Sequence, residues 1–196
     1  MKTLEEKQTL SKWFAFSANW YVLFVQTYEE RRVAEFLQGK LDPEKYVAFC
    51  PTKDYAFQKN GKIATRKALL FTGYVFIAAS VDEQECLATV KPLIYTDSSI
   101  YKLLSNGGDT DSVKLSEHDK AIMTAILDEN FNIPALEAVL VGDRVKIIDG
   151  SALEGVGGLV KRVNKHRQTA IIEIPMFNST IQCEVMFAYL VKPEGV

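Results

Sequence analysis

The densest chemistry in this chain is a run of bases. Lys161, Arg162, Lys165, His166 and Arg167 fall within seven positions, and no acid interrupts them. Bases so spaced hold phosphates, and each contact adds salt-sensitive affinity. A second set, Lys59, Lys62, Arg66 and Lys67, flanks Lys59-Asn60-Gly61-Lys62 together with Phe57. Basic residues on a protruding hairpin suit phosphate contact, and they equally guard an edge strand against mispairing. A third set, Arg31 and Arg32, could grip phosphate or stack on a base. Glu29 and Glu30 precede it, so a solvated mixed-charge face is the stronger reading there. The formal net charge of the 196-residue chain is -2, so any nucleic-acid contact must come from such local patches and not from bulk charge.

Catalysis finds no comparable set. There is no Walker loop and no Gly-x-Ser-x-Gly elbow, and neither His118 nor His166 has a Cys or Ser at a motif spacing. Cys50, Cys86 and Cys183 are odd in number and far apart, which is no disulfide framework and fits a reducing cytoplasm; with the two histidines they make no zinc spacing. The Gly155-Val-Gly-Gly158 cluster misses the G-x-G-x-x-G spacing at Leu159-Val160 and continues into strand, so it is no dinucleotide loop. The paired acids Glu29-Glu30 and Asp82-Glu83 sit at helix starts, where they complement the macrodipole. The expectation is a binding protein without catalytic residues, cofactor or metal. Met1 to Ala18 lacks the apolar segment of a signal peptide, and the longest apolar runs, Trp20 to Val25 and Tyr74 to Ala79, are too short to span a membrane.

The elements that must position these residues alternate between strand and helix. Asn19 to Thr27 is a continuous apolar strand suited to a sheet centre. Glu29 to Leu41 is an amphipathic helix with Val33, Phe36, Leu37 and Leu41 on one face, ended by Asp42-Pro43. Val47 to Gln58 and Ile63 to Phe71 flank Asn60-Gly61, a strong hairpin signal because both positions tolerate positive φ. Gly73 to Ala79 is another buried strand and Asp82 to Val90 a short helix. Thr96 to Ser116 is mostly polar. Ser116 caps a helix to about Asn130, with Asp119 as a capping-box partner and Ile122, Met123, Ile126 and Leu127 on its apolar face. Asn132 to Ala138, with Pro134, has the composition of a linker. Arg144 to Ile148, Gly158 to Asn164, Thr169 to Met176, Thr180 to Met186 and Tyr189 to Lys192 are five short strands, the count for an SH3-like barrel.

Three signatures follow one another along this frame. Trp20-Tyr21 opens the first strand, and Phe71-Thr-Gly-Tyr-Val-Phe76 follows the hairpin. Near the end comes Val141-Gly-Asp-Arg-Val-Lys-Ile-Ile-Asp-Gly150, then Leu153-Glu-Gly-Val-Gly-Gly158 and the basic strand from Leu159. The last segment resembles the KOW motif, and the three in order resemble the NusG family of transcription elongation factors over about residues 19–193. Two departures stand out: Thr72 replaces the proline of the family's Phe-Pro-Gly-Tyr, and Asp149-Gly150-Ser151-Ala152 stands where Asp-Gly-Pro-Phe is common. Tyr46-Val-Ala-Phe-Cys-Pro51 and the stretch Asn164 to Glu173 are more similar to specialised paralogues, in particular the LoaP-type antiterminators.

The resemblance implies an α+β chain. Ahead of the resemblance, residues 1–18 read as a polar extension, either docked onto the body by Trp13, Phe14 and Phe16 or left as a partly ordered tail. Residues 19–131 would form a βαβ-type NusG N-terminal domain with an antiparallel sheet, 132–139 a linker, and 140–196 a KOW barrel. It implies contact with RNA polymerase through Trp20, Tyr21, Phe71 and Tyr74, although ordinary core roles compete for all of them. Strand alternation sets Tyr74 and Phe76 on one face, Phe71 and Val75 near the other. It implies nascent RNA at the basic residues of the barrel, with non-template DNA and a ribosomal protein as further candidate partners of a cytoplasmic monomer. A housekeeping elongation factor shares this mechanism, and KOW barrels also occur in ribosome-associated RNA-binding proteins.

Overall fold

The computed structural model describes residues 15–59, 62–105, 112–141, 144–147, 160–176 and 179–189. Contacts group the described residues into two compact units, one drawn from Met1–Pro51 and Phe71–Lys120, the other from Thr52–Leu70 and Ala121–Val196.

The first unit is built on a four-stranded antiparallel sheet of order β2-β5-β1-β6, with β1 Asn19–Val25, β2 Tyr46–Phe49, β5 Tyr74–Ala79 and β6 Ile100–Leu103. β1 is apolar from Trp20 to Val25 because most of both its faces is covered. Tyr21, Leu23 and Val25 join Val75, Ile77 and Ala79 on the face that packs on α1 (Glu30–Lys40) and α2 (Glu83–Ile94). α1 contributes Val33, Ala34 and Leu37, and α2 contributes Cys86 and Val90. α1 ends where Leu41 turns extended ahead of Asp42-Pro43, as the sequence implies. Asp82 caps α2 by accepting a hydrogen bond from the Glu85 amide at 2.8 Å.

Two expectations change here. α2 does not stop at Val90 but runs through Pro92 to Ile94, because half-buried Leu93 and Ile94 continue its apolar stripe. Pro92, in the last turn, forfeits one intrahelical N–H bond there. In the polar stretch after Thr96, β6 forms because β1 offers a free edge, with Leu23 opposite Leu103.

The second unit holds the hairpin of β3 (Thr52–Lys59) and β4 (Lys62–Leu69), paired so that Lys59 faces Lys62. The expected single strand Val47 to Gln58 is thus two strands in two sheets, broken at Cys50-Pro51, where proline has no N–H to continue a ladder. Within the stretch 132–139, β7 (Asn132–Ile133) runs parallel to β3, and β8 (Leu136–Val141) begins. The Asp54 carboxylate fixes that junction, accepting from Asn132 Nδ2 at 3.1 Å and the Ala135 amide at 3.2 Å.

α3 (Glu117–Ile126) starts at Ser116, whose Oγ accepts from the Asp119 amide at 3.0 Å, and it buries Ile122, Met123 and Ile126. It ends short of Asn130 because the Asp128 carboxylate takes the amides of Asn130 and Asn132 into a turn.

The remaining strands are β9 (Arg144–Ile147), β10 (Val160–Asn164), β11 (Thr169–Met176) and β12 (Ser179–Tyr189). With β8 they form a five-stranded sheet of order β10-β11-β12-β8-β9. β11 alternates strictly, burying Ala170, Ile172, Ile174 and Met176. β12 runs unbroken to Tyr189, where two strands were expected. It is the central strand of the sheet: β11 pairs it from Ser179 to Met186 and β8 from Phe187 to Tyr189, and this second partner carries it past Met186. Trp13, Phe14, Gly158 and residues 190–192 of the expected elements lie outside the described residues.

Candidate contact face and cationic surfaces

The sheet of the first unit has a second face, opposite the helices, and it is aromatic. At one end Trp20 meets Phe49 at 5.1 Å and Phe76 at 6.2 Å between ring centroids, and Phe71 stacks on Phe76 at 5.9 Å. Phe71 and Phe76 therefore share a face, against the alternation expected from sequence, because Phe71 precedes the strand and folds back over it. Phe16 approaches Trp20, whose indole N–H donates to the Ala15 carbonyl at 2.7 Å. Trp20 is fully buried and Phe71 only 5% exposed.

The other end is open. Phe24 lies opposite Tyr74 in the ladder, with their rings 5.7 Å apart, and Tyr101 lies 5.3 Å from Phe24. Phe24 and Tyr74 are half-buried and Tyr101 is 53% exposed. Tyr101 is the extra residue of a β-bulge, since Phe24 pairs with Lys102 while Val25 pairs with Ile100. Bulges re-aim side chains, and this one sets Tyr101 beside Phe24.

Of the four aromatics the sequence nominates for a polymerase contact, Tyr74 alone presents its ring at this open end. Trp20 and Phe71 pack beneath the surface. Tyr21 faces the helices, its hydroxyl buried with no hydrogen-bond partner among the described residues. The Cys86 thiol lies beside that hydroxyl without reaching hydrogen-bond geometry, and burial raises the tyrosine above its ordinary range. Phe24 and Tyr101 were missed from the sequence. Phe24 looks like any residue of an apolar strand, and Tyr101 depends on a bulge that no local pattern announces.

The turn joining the two ends is pinned by a residue the sequence also misread. Glu30, in the first turn of α1, is 1% exposed, and its Oε1 accepts from the Gly73 amide at 2.6 Å. Gly73 has φ of +82°, a conformation that favours glycine, and a Cβ there would stand 3.4 Å from the Phe24 ring. The Gly73 carbonyl accepts from the Val25 amide at 2.8 Å, closing the turn onto β1. The Cys50 thiol donates to the Glu30 carbonyl at 3.4 Å; burial, then the Glu30 charge, pushes that thiol up to about 12, which keeps its proton in place. Glu30 is thus a buried anchor of the Phe71–Tyr74 turn, beyond any role at the helix dipole. A charge-assisted bond of this kind is among the stronger ones.

The cationic residues divide into engaged and open. Arg32 forks onto Asp97, with bonds of 2.7 and 3.1 Å, and also pairs with Glu29. Asp97 is held at about 2 by Arg32 and then by the Ser99 amide. Arg31 is exposed and has no carboxylate partner among the described residues. On the hairpin, the Arg66 guanidinium carbon lies 5.4 Å from the ring centroids of both Tyr55 and Phe57. Lys67 is exposed; the side chains of Lys59 and Lys62 lie outside the described residues.

In the C-terminal sheet the acid-free cluster is not acid-free in space, because Lys161 reaches across to Glu173 at 3.1 Å. Arg162 in the middle of β10 and Lys165, His166 and Arg167 in the following turn are exposed. That turn is shaped by Asn164, whose side-chain oxygen accepts from the Arg167 amide at 3.1 Å, and by Gln168 at φ +52°. Among the described residues no group of three His, Cys, Asp or Glu side chains could hold a metal ion, and no helix is long and apolar enough to cross a membrane.

A family model described as the transcription termination factor nusG matches residues 18–124. These span β1 to most of α3, including the whole aromatic face. Among solved structures, one titled "Domain interaction in Thermotoga maritima NusG" superposes with a TM-score of 0.52 at 19% identity, covering 88% of this chain and 95% of that one. At that identity the likeness is one of fold. A search among curated proteins found no match.

Proposed function

This chain belongs to the NusG family, whose members are non-enzymatic transcription factors that bind RNA polymerase, and from that premise we propose that it is an antitermination and processivity factor. The observation that carries the proposal is the open aromatic end formed by Phe24, Tyr74 and Tyr101, set by the Glu30-anchored turn. Aromatic rings with few rotatable bonds suit a groove or helix contact, because they bury much area at little entropic cost. In this reading Tyr74 touches the clamp helices of the polymerase, with Trp20, Tyr21 and Phe71 supporting the surface from beneath. Binding across the cleft stabilises the closed clamp over the paused one, a shift of populations with no chemistry.

Residues 19–131 then act as the polymerase-binding domain and 140–196 as a KOW barrel; a five-stranded sheet with one apolar face suits such a barrel. Arg162, Lys165, His166 and Arg167 present its RNA-contacting edge. Arg31, exposed and without a carboxylate partner among the described residues, suits the displaced non-template strand better than Arg32, which Asp97 occupies. The phrases Tyr46–Pro51 and Asn164–Glu173 favour an operon-specific LoaP-type role over a housekeeping one. A purified transcription assay on an intrinsic terminator tests the mechanism: the protein should raise read-through, and unchanged read-through on the leader of its own operon overturns the proposal. Chromatin immunoprecipitation separates the two roles, with occupancy confined to one or a few operons supporting the specialised one.

A further inference from the structure

The β3–β4 hairpin carries a feature that the polymerase contact does not use. We infer that Tyr55, Phe57 and Arg66 form a stacking site for an unpaired nucleotide of single-stranded nucleic acid.

Three observations converge. The first is geometric. Tyr55 pairs with Arg66 and Phe57 with Ala64 across the hairpin, so one face carries two rings, an arginine and a small residue. Arg66 lies over both rings at 5.4 Å, while Tyr55 and Arg66 remain exposed. A guanidinium seated on two rings is held in place while the residue stays exposed to solvent. A planar cation beside an exposed phenol is what base stacking needs, since every base has a π-face.

The second is charge. The hairpin sequence from Thr52 to Leu69 carries Lys53, Lys59, Lys62, Arg66 and Lys67 against the single acid Asp54, in a chain whose net charge is -2. Asp54 is turned toward Asn132 and Ala135. Neither Arg66 nor Lys67 has a carboxylate partner among the described residues. The third is the fold. The long two-stranded arm is stitched at its base by β7 and by Lys53 donating to Cys183 Sγ at 3.3 Å. The aromatic–arginine face therefore sits on a braced element, and its exposed residues are free to meet a ligand.

The experiment uses the full chain and a short fluorescein-labelled oligonucleotide of one sequence, as RNA and as DNA, single-stranded and duplex. A parallel set carries 2-aminopurine to report stacking. Single strands should bind more tightly than duplexes and quench 2-aminopurine. Arg66→Lys, which keeps the charge and loses the planar stack, and Tyr55→Leu, which keeps apolar bulk, should each weaken single-strand binding about tenfold, the worth of one stacked base. Both should remove the quench while leaving the thermal midpoint unchanged. The variant Lys40→Ala, at an exposed helix position away from the hairpin, should keep the quench. Preference for RNA or for DNA names the strand, because only RNA offers a 2′-hydroxyl.

Wild-type affinity in Arg66→Lys, a quench that survives Tyr55→Leu, or tighter binding to duplex overturns the inference and reduces Arg66 to a brace for the hairpin. The outcome is independent of terminator read-through: loss of read-through with the quench intact removes the antitermination reading and leaves this site standing.

Discussion

The two ends of one aromatic face differ in what they are for. Trp20, Phe49, Phe71 and Phe76 close on one another and exclude water, while Phe24, Tyr74 and Tyr101 touch through rings that still see solvent. Both sets draw aromatics from β1 and β5, so composition does not separate core from contact surface. What separates them is a bulge in β6 that re-aims Tyr101 and a turn that folds Phe71 back over Phe76. The Glu30–Gly73 bond stands at the junction of the two ends.

Substitutions along this face should break the comparison in graded steps. Trp20→Ala removes a fully buried indole, and denaturant unfolding should show a loss of about 3–5 kcal/mol. Glu30→Ala leaves the Gly73 amide buried without its acceptor and should cost about 1–3 kcal/mol. Glu30→Gln, which keeps an acceptor, should recover part of that loss; equal losses for the two variants would mean that the bond does not set the turn. Tyr74→Ala should invert the pattern. Its stability cost should stay below that of Trp20→Ala, while affinity for the polymerase clamp falls about tenfold or more, as for a central interface aromatic. Unchanged affinity there would end the distinction between the two ends.

Smaller effects test the surroundings. Tyr21→Phe deletes a buried hydroxyl that has no hydrogen-bond partner among the described residues, so it should be neutral or stabilising by up to about 1 kcal/mol, the opposite sign from its neighbour Trp20. The Arg32–Asp97 pair, with Arg32 in solvent, should contribute little to stability. Its pH dependence has a definite sign. Asp97 is held at about 2, below its ordinary 3.8, so the folded state binds that proton more weakly than the unfolded chain. The contribution is full above the ordinary value and drains away as pH falls through about 2. The stability gap between wild type and Asp97→Asn should therefore be present at neutral pH and close in acid.

Much of this molecule was legible before any coordinates. The apolar run from Trp20, the amphipathic spacing of Val33 and Leu37, the Asn60-Gly61 signal and the alternation of Thr169–Met176 each encode an element locally, because propensity and periodicity act within a few residues. The order of Trp20-Tyr21, Phe71–Tyr74 and the basic strand from Leu159 was enough to point to a family. Which side chain meets which was decided only by tertiary structure. Glu30 looks like a dipole-compensating acid until the turn at Gly73 brings an amide to it from 43 positions away. Lys161 looks unopposed until β11 brings Glu173 across. Local patterns specify backbone conformation, but burial and pairing arise from contacts between segments far apart in the chain, and those settle which aromatic is core and which is surface.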